Sequence, residues 1–599
     1  MTSETPQDRG ADQARQDRAA AARTGKGASP RPGAGTGRAG PGAGTSRPDR
    51  PRVRTRPDRY LVAAVPPADV RAVTAQLEQD QSCRIVRILS GRGMSGGFPG
   101  VAVVEMTPEH AAMLAGYPGI HAEPDYSAGR THAVPPPVVT QRVAFEVLDD
   151  GMRPIEGAAI IVAGSGSPAT GFTGADGRAE IAVTPEMLAA PAAVEIHPPR
   201  GCWPVRVHRP LLDAADPVRA VCTRITTTYP DFPERALDSW GAHVMGFGRL
   251  PPTYRGSGAR IALIDSGVAT GHPDLSGRIK HGRDLIGRDE EKGWQEDLIG
   301  TGTHHATLIA GRDDGTGIAG LAPEAEVHIC RVSPGGSAAG LVEALDYCIE
   351  HQVDLAMFGA CIPEASVLLA AKVEEAWRNG IACIAAAGDS ADGPCWPAAW
   401  PQVLAVGAIG QLGRFPPEDT ATAAVTPQLT PEGFFVPVFS NGAFSDGPDP
   451  STSSAVDCCA PGVAVISGLP PSSYGPLSGT GTAAAHVAAL AALILAHHPL
   501  FRLEPGRPHM TRDSARPARL LEVIKGSCRP LPQLDPARTG AGIPDVAVAL
   551  GVAPWGTHPP LSMPYPAPAP TADGQTPLGP LDAAMLAAGL MPGSRLPIP

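Results

Sequence analysis

Apolar and polar positions along the chain change period several times, and each change marks a block. Residues 59–65, RYLVAAV, form an apolar run that predicts a strand, and residues 67–79 carry Val70, Val73 and Leu77 at helical spacing. CRIVRIL (83–89) and GVAVVEM (100–106) predict two more strands. TPEHAAMLAGYPGI (107–120) predicts a helix: Thr107 is a good N-cap, Pro108 suits the first helical position, and Glu109 complements the positive end. HAEPD (121–125) supplies the last strand. The order β-α-β-β-α-β, placed at residues 59–126, describes a small ferredoxin-like α+β module.

From 141 to 225 the pattern shortens to alternating strands such as RVAFEVLD, AAIIVAG and AEIAV, separated by DDG, GSGS and ADG turns. Such spacing predicts a β-sandwich, placed at 139–226, and the phrases DDGMRPIEGAAIIVAG and TGADGRAEIAV resemble transthyretin-like modules. From 233 to 552, continuous apolar strands (ARIALIDSG, EVHICRV, VDLAMFG, IACIAAAG, VLAVGAI) alternate with amphipathic helices. That alternation predicts an α/β domain with a parallel sheet covered on both faces. Functional groups then belong at the carboxyl ends of its strands. Residues 553–599 form a Pro-rich tail with one apolar patch, DAAMLAAGL.

Composition changes this picture little. With 43% hydrophobic and 18% charged residues the blocks read as folded protein, while the 70 Gly and 67 Pro gather in the two ends and the connections. The net charge of -11 conceals a basic arm: residues 1–59 hold thirteen basic and six acidic side chains. Without aromatics and rich in Gly, Pro and Ala, the arm at 1–58 is expected to be disordered, and nucleic acid is not expected as a partner. The first residues lack an apolar secretory core. No uninterrupted apolar run reaches the ~18 residues of a membrane span, and 483–496, which contains His486, reads as a buried core helix. Eleven cysteines without metal-ligand spacing fit reduced thiols in a cytoplasmic chain, the adjacent Cys458 and Cys459 being small buried residues. No metal or cofactor is expected.

The α/β block resembles the subtilisin-like serine proteases, through several motifs in the family's order. RIALIDSGVATGHPDL is similar to the aspartate block, and TGTHHATLIAG with GIAGLAPEAEVHICRV to the histidine block. IACIAAAGDS with WPAAWPQVLAVGAI is similar to the oxyanion asparagine block. FSNGAF, CCAPGVAVISGL and LSGTGTAAAHVAALAALIL are similar to the serine block. The 59–126 module likewise resembles the family's prodomain. The resemblance implies a subtilisin-like fold and a peptide cleft bordered by Met357, Phe358 and Gly359, where relatives carry Ser-Leu-Gly.

Serine-type acyl transfer needs a hydroxyl, an imidazole to take its proton, a carboxylate to orient the imidazole and an amide to hold the oxyanion. Carried over residue by residue, the resemblance implies that only the carboxylate survives, as Asp265. The base position is Thr301, the nucleophile position is Gly481, and the oxyanion position is Asp389, whose carboxylate has no N–H to donate. Losing the serine or the histidine costs subtilisin itself on the order of 10⁶ in turnover. The expectation is therefore a pseudoprotease that binds a peptide or protein in the former cleft. Candidate ligands are its own prodomain-like module or an active protease relative.

Alternatives stay open. His304, three residues past Thr301, and its neighbour His305 lie near the base position, and Ser478, Thr480 and Thr482 are hydroxyls near the vacancy. None of these hydroxyls has a base assignable from sequence, and His304 reads as a structural helix residue. A rearranged serine endopeptidase is the competing reading, and an Asp265/Asp389 carboxylate dyad or metal pair is a remoter one. On the structural side, Thr301 is expected to cap its helix, Gly481 to fill the turn before the next, and Asp265 to persist because its neighbours still donate to it.

Overall fold

The structure is a computed structural model of the 599-residue chain; it describes residues 59–64, 70–78, 83–89, 101–117, 120–128, 141–165, 167–212, 216–286, 292–443, 456–501 and 511–554. The basic arm and the apolar patch of the C-terminal tail lie outside the described residues.

The first module comprises β1 (Arg59–Ala64), α1 (Val70–Leu77), β2 (Arg84–Leu89), β3 (Val101–Glu105), α2 (Pro108–Ala115) and β4 (Ile120–Pro124). Its four-stranded antiparallel sheet has the order β2-β3-β1-β4. Thr107 caps α2 as its residue type predicts, its hydroxyl accepting the His110 N–H at 3.3 Å. Alternate residues divide between two cores. Val62, Ala64, Ala102 and Val104 face the module's own helices, whereas Leu61, Ala63, Val101 and Val103 pack against the α/β domain.

The sandwich comprises β6 (Gln141–Asp149), β7 (Ala159–Ala163), β8 (Ala169–Phe172), β9 (Arg178–Val183), β10 (Ala193–His197), β11 (Val205–His208) and β12 (Val218–Cys222). Two sheets, β11-β10-β7-β8 and β12-β6-β9, enclose Phe145, Ile160, Val162, Ile181 and Ile196. Its Trp203 inserts into a cluster with Phe415, Phe435 and Ile466 of the α/β domain, and backbone bonds from Arg206 to Glu418 and from Gly201 to Tyr474 fix the contact.

The elements of the α/β domain that build the site are β13 (Arg260–Asp265), β14 (His281–Asp284), α3 (Thr301–Ala310), β15 (Glu326–Arg331), β16 (Gly336–Ser337), α4 (Ala338–Glu350), β17 (Leu355–Phe358), α5 (Val367–Arg378), β18 (Ala382–Ala386), β19 (Val403–Gln411), β20 (Phe434–Phe435), β21 (Cys458–Pro461), β22 (Val465–Leu469), β23 (Ser473–Leu477) and α6 (Thr480–His497). Strands β14-β15-β13-β17-β18-β19-β21 lie parallel in that order, with β20 antiparallel on the end of β19. The order reverses between β13 and β17. In such sheets the crevice opens at the carboxyl ends flanking that reversal, which are Asp265 and Gly359.

Helix α6 is long and apolar enough by composition to cross a membrane, yet 89% of its apolar window is buried inside the fold. It is the core helix its sequence suggested, packed across β17, β18 and β19. The cysteine expectation needs correction, because Cys361 and Cys395 form a disulfide. Spacing alone does not reveal a pair 34 residues apart whose Cα atoms the fold brings to 5.9 Å. Cys458 and Cys459 are buried thiols.

Candidate functional site

Strand β13 carries its run of buried residues to Asp265, and the turn that follows brings Ser266 back over it. The Asp265 carboxylate is fully enclosed. Its Oδ1 accepts the Ser266 N–H at 2.7 Å and the Thr301 hydroxyl at 2.6 Å, and its Oδ2 receives Nδ1 of His305 at 2.9 Å. Burial pushes this carboxyl up, but the facing His305 imidazole, its hydrogen bond and the Thr301 and Ser266 donors outweigh that and hold it below the ordinary range. The donors expected around Asp265 are thus Ser266, Thr301 and His305.

Thr301 does not cap α3. The N-cap is Gly300, in a left-handed conformation at φ 99°, and Thr301 opens the helix with its hydroxyl turned to Asp265 and Ser266. One turn further, His305 projects from the same face. Its Nε2 lies 3.3 Å from the Thr482 hydroxyl in the first turn of α6. Asp265, His305 and Thr482 therefore form one hydrogen-bonded chain, all three being buried. Sequence left the hydroxyls near Gly481 without an assignable base, and the structure places the His305 ring beside the Thr482 hydroxyl. The i, i+4 relation between Thr301 and His305 was the sequence signal; what sequence could not show is that α6 delivers Thr482 to the far nitrogen.

Two glycines make this chain possible. A Cβ at Gly481 would stand 2.9 Å from Cε1 of His305, and one at Gly359 would stand 1.8 Å from Oδ2 of Asp265. Gly481 lies inside the first turn of α6, not in the turn before it. The imidazole occupies the space that a side chain there would enter. His304 points the other way, to the Val465 carbonyl at 2.8 Å, and burial followed by the neighbouring His305 pushes it down to about 3. It is the structural histidine its position suggested.

Asp389, three residues past β18, accepts the Thr480 N–H at 2.8 Å and the Thr480 hydroxyl at 2.9 Å on one oxygen. It binds the start of α6 in place of offering a donor to the cleft. Burial raises its carboxyl, which the Thr480 bonds and His305 only partly offset. The hydrogen-bond partners of Asp265 and Asp389 are separate sets, and among the described residues no group of three His, Cys, Asp or Glu is placed to hold a metal ion. Asn441 fixes the Asp389 loop: its carbonyl accepts from Ser390 and Asp392, and its amide donates to Ala387 and Gly393.

Met357 and Phe358 turn their side chains into the two cores on either side of the sheet. Only backbone at the end of β17, with Gly359, borders the crevice. Beyond it, Ile362 and Trp396 exchange both backbone bonds (2.8 and 3.0 Å), and the Cys361–Cys395 disulfide lies beside them, so the loops after β17 and β18 are tied together.

The first module makes a further contact with the α/β domain. Ser127 and Ala128, labelled β5, follow β4 and pair antiparallel with β16. Just before them, Glu123 accepts the Ser366 hydroxyl and the N–H groups of Val367 and Leu368, closing the N-terminus of α5. Asp125 accepts the Ala339 N–H at the start of α4 at 3.1 Å.

Residues 256–518, which carry every element of this site within the α/β domain, match the subtilase family model. Over 254 residues the chain is 32% identical to the major intracellular serine protease of Bacillus subtilis, covering 40% of this chain and 69% of that protein. The chain belongs to the subtilase family. It is 31% identical over 252 residues to the intracellular serine protease of Paenibacillus polymyxa, covering 67% of it. To subtilisin E of Bacillus subtilis it is 30% identical over 254 residues, spanning 58% of that protein.

Proposed function

We propose that this subtilase holds an extended polypeptide in the family's cleft and does not run the family's serine mechanism there. In that sense it is a pseudoprotease with a regulatory or scaffolding role. The observation that carries the reading is the His305 ring in the space a Gly481 side chain would enter. Restoring a serine there collides with the ring, and Thr301 beside it has no basic nitrogen. Asp389 supports the reading too, its carboxylate being spent on Thr480.

The ligand we infer is a polypeptide recognised by strand addition. The chain's own α+β module is the first candidate, read as prodomain-like, because its β5 lies on β16 and its two carboxylates close α4 and α5. An unrelated partner peptide would then compete with β5.

The test uses a fluorescent synthetic peptide of residues 120–128 added to the full chain and to an E123A/D125A variant whose own copy is held less tightly. The reading expects saturable anisotropy on the variant, weaker binding to the parent, and no cleavage of casein by either. Absence of binding to both chains, or casein hydrolysis at a protease's rate, would refute it.

A further inference from the structure

We propose that Thr482 is a nucleophile, its hydroxyl, the His305 imidazole and the Asp265 carboxylate forming a relay displaced from the family's positions by one helical turn at the base and one residue at the nucleophile. The inference rests on the reading that the cleft receives a polypeptide, and adds a covalent step to it. A hydroxyl relay is defined by contacts and roles, not by sequence position.

The relay takes the tautomer in which Nδ1 of His305 donates its N–H to Oδ2 of Asp265 at 2.9 Å. That leaves the lone pair of Nε2 facing the Thr482 hydroxyl at 3.3 Å, a separation of the kind that shortens when a substrate is bound. Asp265 positions the ring; His305 and Thr482 are the catalytic pair. The substitutions come as a set: Thr301 yields the base position and hydrogen-bonds the same carboxylate, and Gly481 clears the space His305 needs.

In the step, Oγ1 of Thr482 attacks an acyl carbon as its proton passes to Nε2 of His305. The amine leaves with that proton as the C–N bond breaks, and the chain is left as an acyl ester on Thr482, a single event per chain and not turnover of a substrate such as casein. The first turn of α6 leaves the N–H groups of Gly481 and Thr482 without intrahelical acceptors, and these are the donors a developing oxyanion needs. In the resting chain Thr482 and His305 are buried, and the E123A/D125A variant loosens the module whose β5 pairs with β16.

The experiment treats the full chain with a small alkyl phosphonofluoridate, which forms an Oγ1–P bond as fluoride leaves and the proton passes to His305. Intact-mass measurement and peptide mapping then locate the adduct. One adduct on Thr482 is expected, forming about tenfold faster in E123A/D125A, retained in T482S and abolished in T482V, which keeps the residue's volume. A T482V chain that melts with the parent excludes misfolding as the cause. No adduct on Thr482 in either the parent or the loosened variant would overturn the proposal, as would labelling that survives T482V. These outcomes separate from those of the binding reading: peptide binding without labelling retires the nucleophile alone, whereas casein hydrolysis lost in T482V retires the non-hydrolytic reading alone.

Discussion

Replacing Gly481 by serine puts back the family's nucleophile, and the structure says that this damages the protein instead of repairing it. A Cβ at 481 stands 2.9 Å from Cε1 and 3.4 Å from Nε2 of His305, while the next neighbour, the Gly359 carbonyl, is 3.9 Å away. The ring has nowhere to retreat, since its Nδ1 is bound to Asp265 and Gly359 packs on the same carboxylate. Forcing extra atoms into such a site costs about 1–3 kcal/mol. The cost belongs to the pair, so it vanishes when the ring is removed. H305A by itself is costly, ~3–5 kcal/mol, because it deprives a buried carboxylate of its largest partner. On that background G481S should be neutral within about 0.5 kcal/mol or slightly favourable, glycine being a poor helix residue. Urea unfolding of the parent, both single variants and the double variant gives the coupling directly, and about 1–3 kcal/mol of relief is expected. Additivity to within about 0.5 kcal/mol would show that the imidazole does not fill this space.

Three further outcomes follow from particular groups. Burial raises Asp419 to about 7, and its oxygen binds the Ala421 N–H. The folded chain therefore holds a proton between about pH 4 and 7 that the unfolded chain lacks, so this group makes stability fall as pH rises, by up to ~4 kcal/mol. D419N keeps the cap and removes that slope. His304 and His486, pushed by burial down to about 3 and about 4, contribute the opposite slope in both chains, lowering stability as pH falls below ~6.5; Tm against pH for the two chains, whose difference isolates Asp419, checks both signs. Reducing Cys361–Cys395, which closes a separation of 34 residues, should lower unfolding stability by ~4 kcal/mol at most, and an unchanged urea midpoint with reductant would contradict the bridge. N441A strips partners from the Ala387 and Gly393 carbonyls and the Ser390 and Asp392 N–H groups. A loss of ~3 kcal/mol or more, with faster hydrogen exchange at 387–393, is expected, and a stable variant with unchanged exchange would argue against the clamp.

The sequence by itself determined the layers of the α/β domain. Continuous apolar strands such as ARIALIDSG and VLAVGAI can only be buried on both faces, so the parallel sheet was legible, as was α6 as a core helix. Local chemistry fixed the Thr107 cap and the strand-terminal place of Asp265 for the same reason: each depends on a few neighbouring residues. The tertiary structure decided everything that depends on two distant segments meeting. It brought Cys361 to Cys395, seated Glu123 and Asp125 on the helices after Ser366 and Ser337, and turned Met357 and Phe358 inward. Above all, it placed Thr482 within 3.3 Å of His305. Hydrogen bonds act over about 3 Å, and that distance between residues 177 positions apart is set by how two helices pack, which no local pattern in either segment encodes.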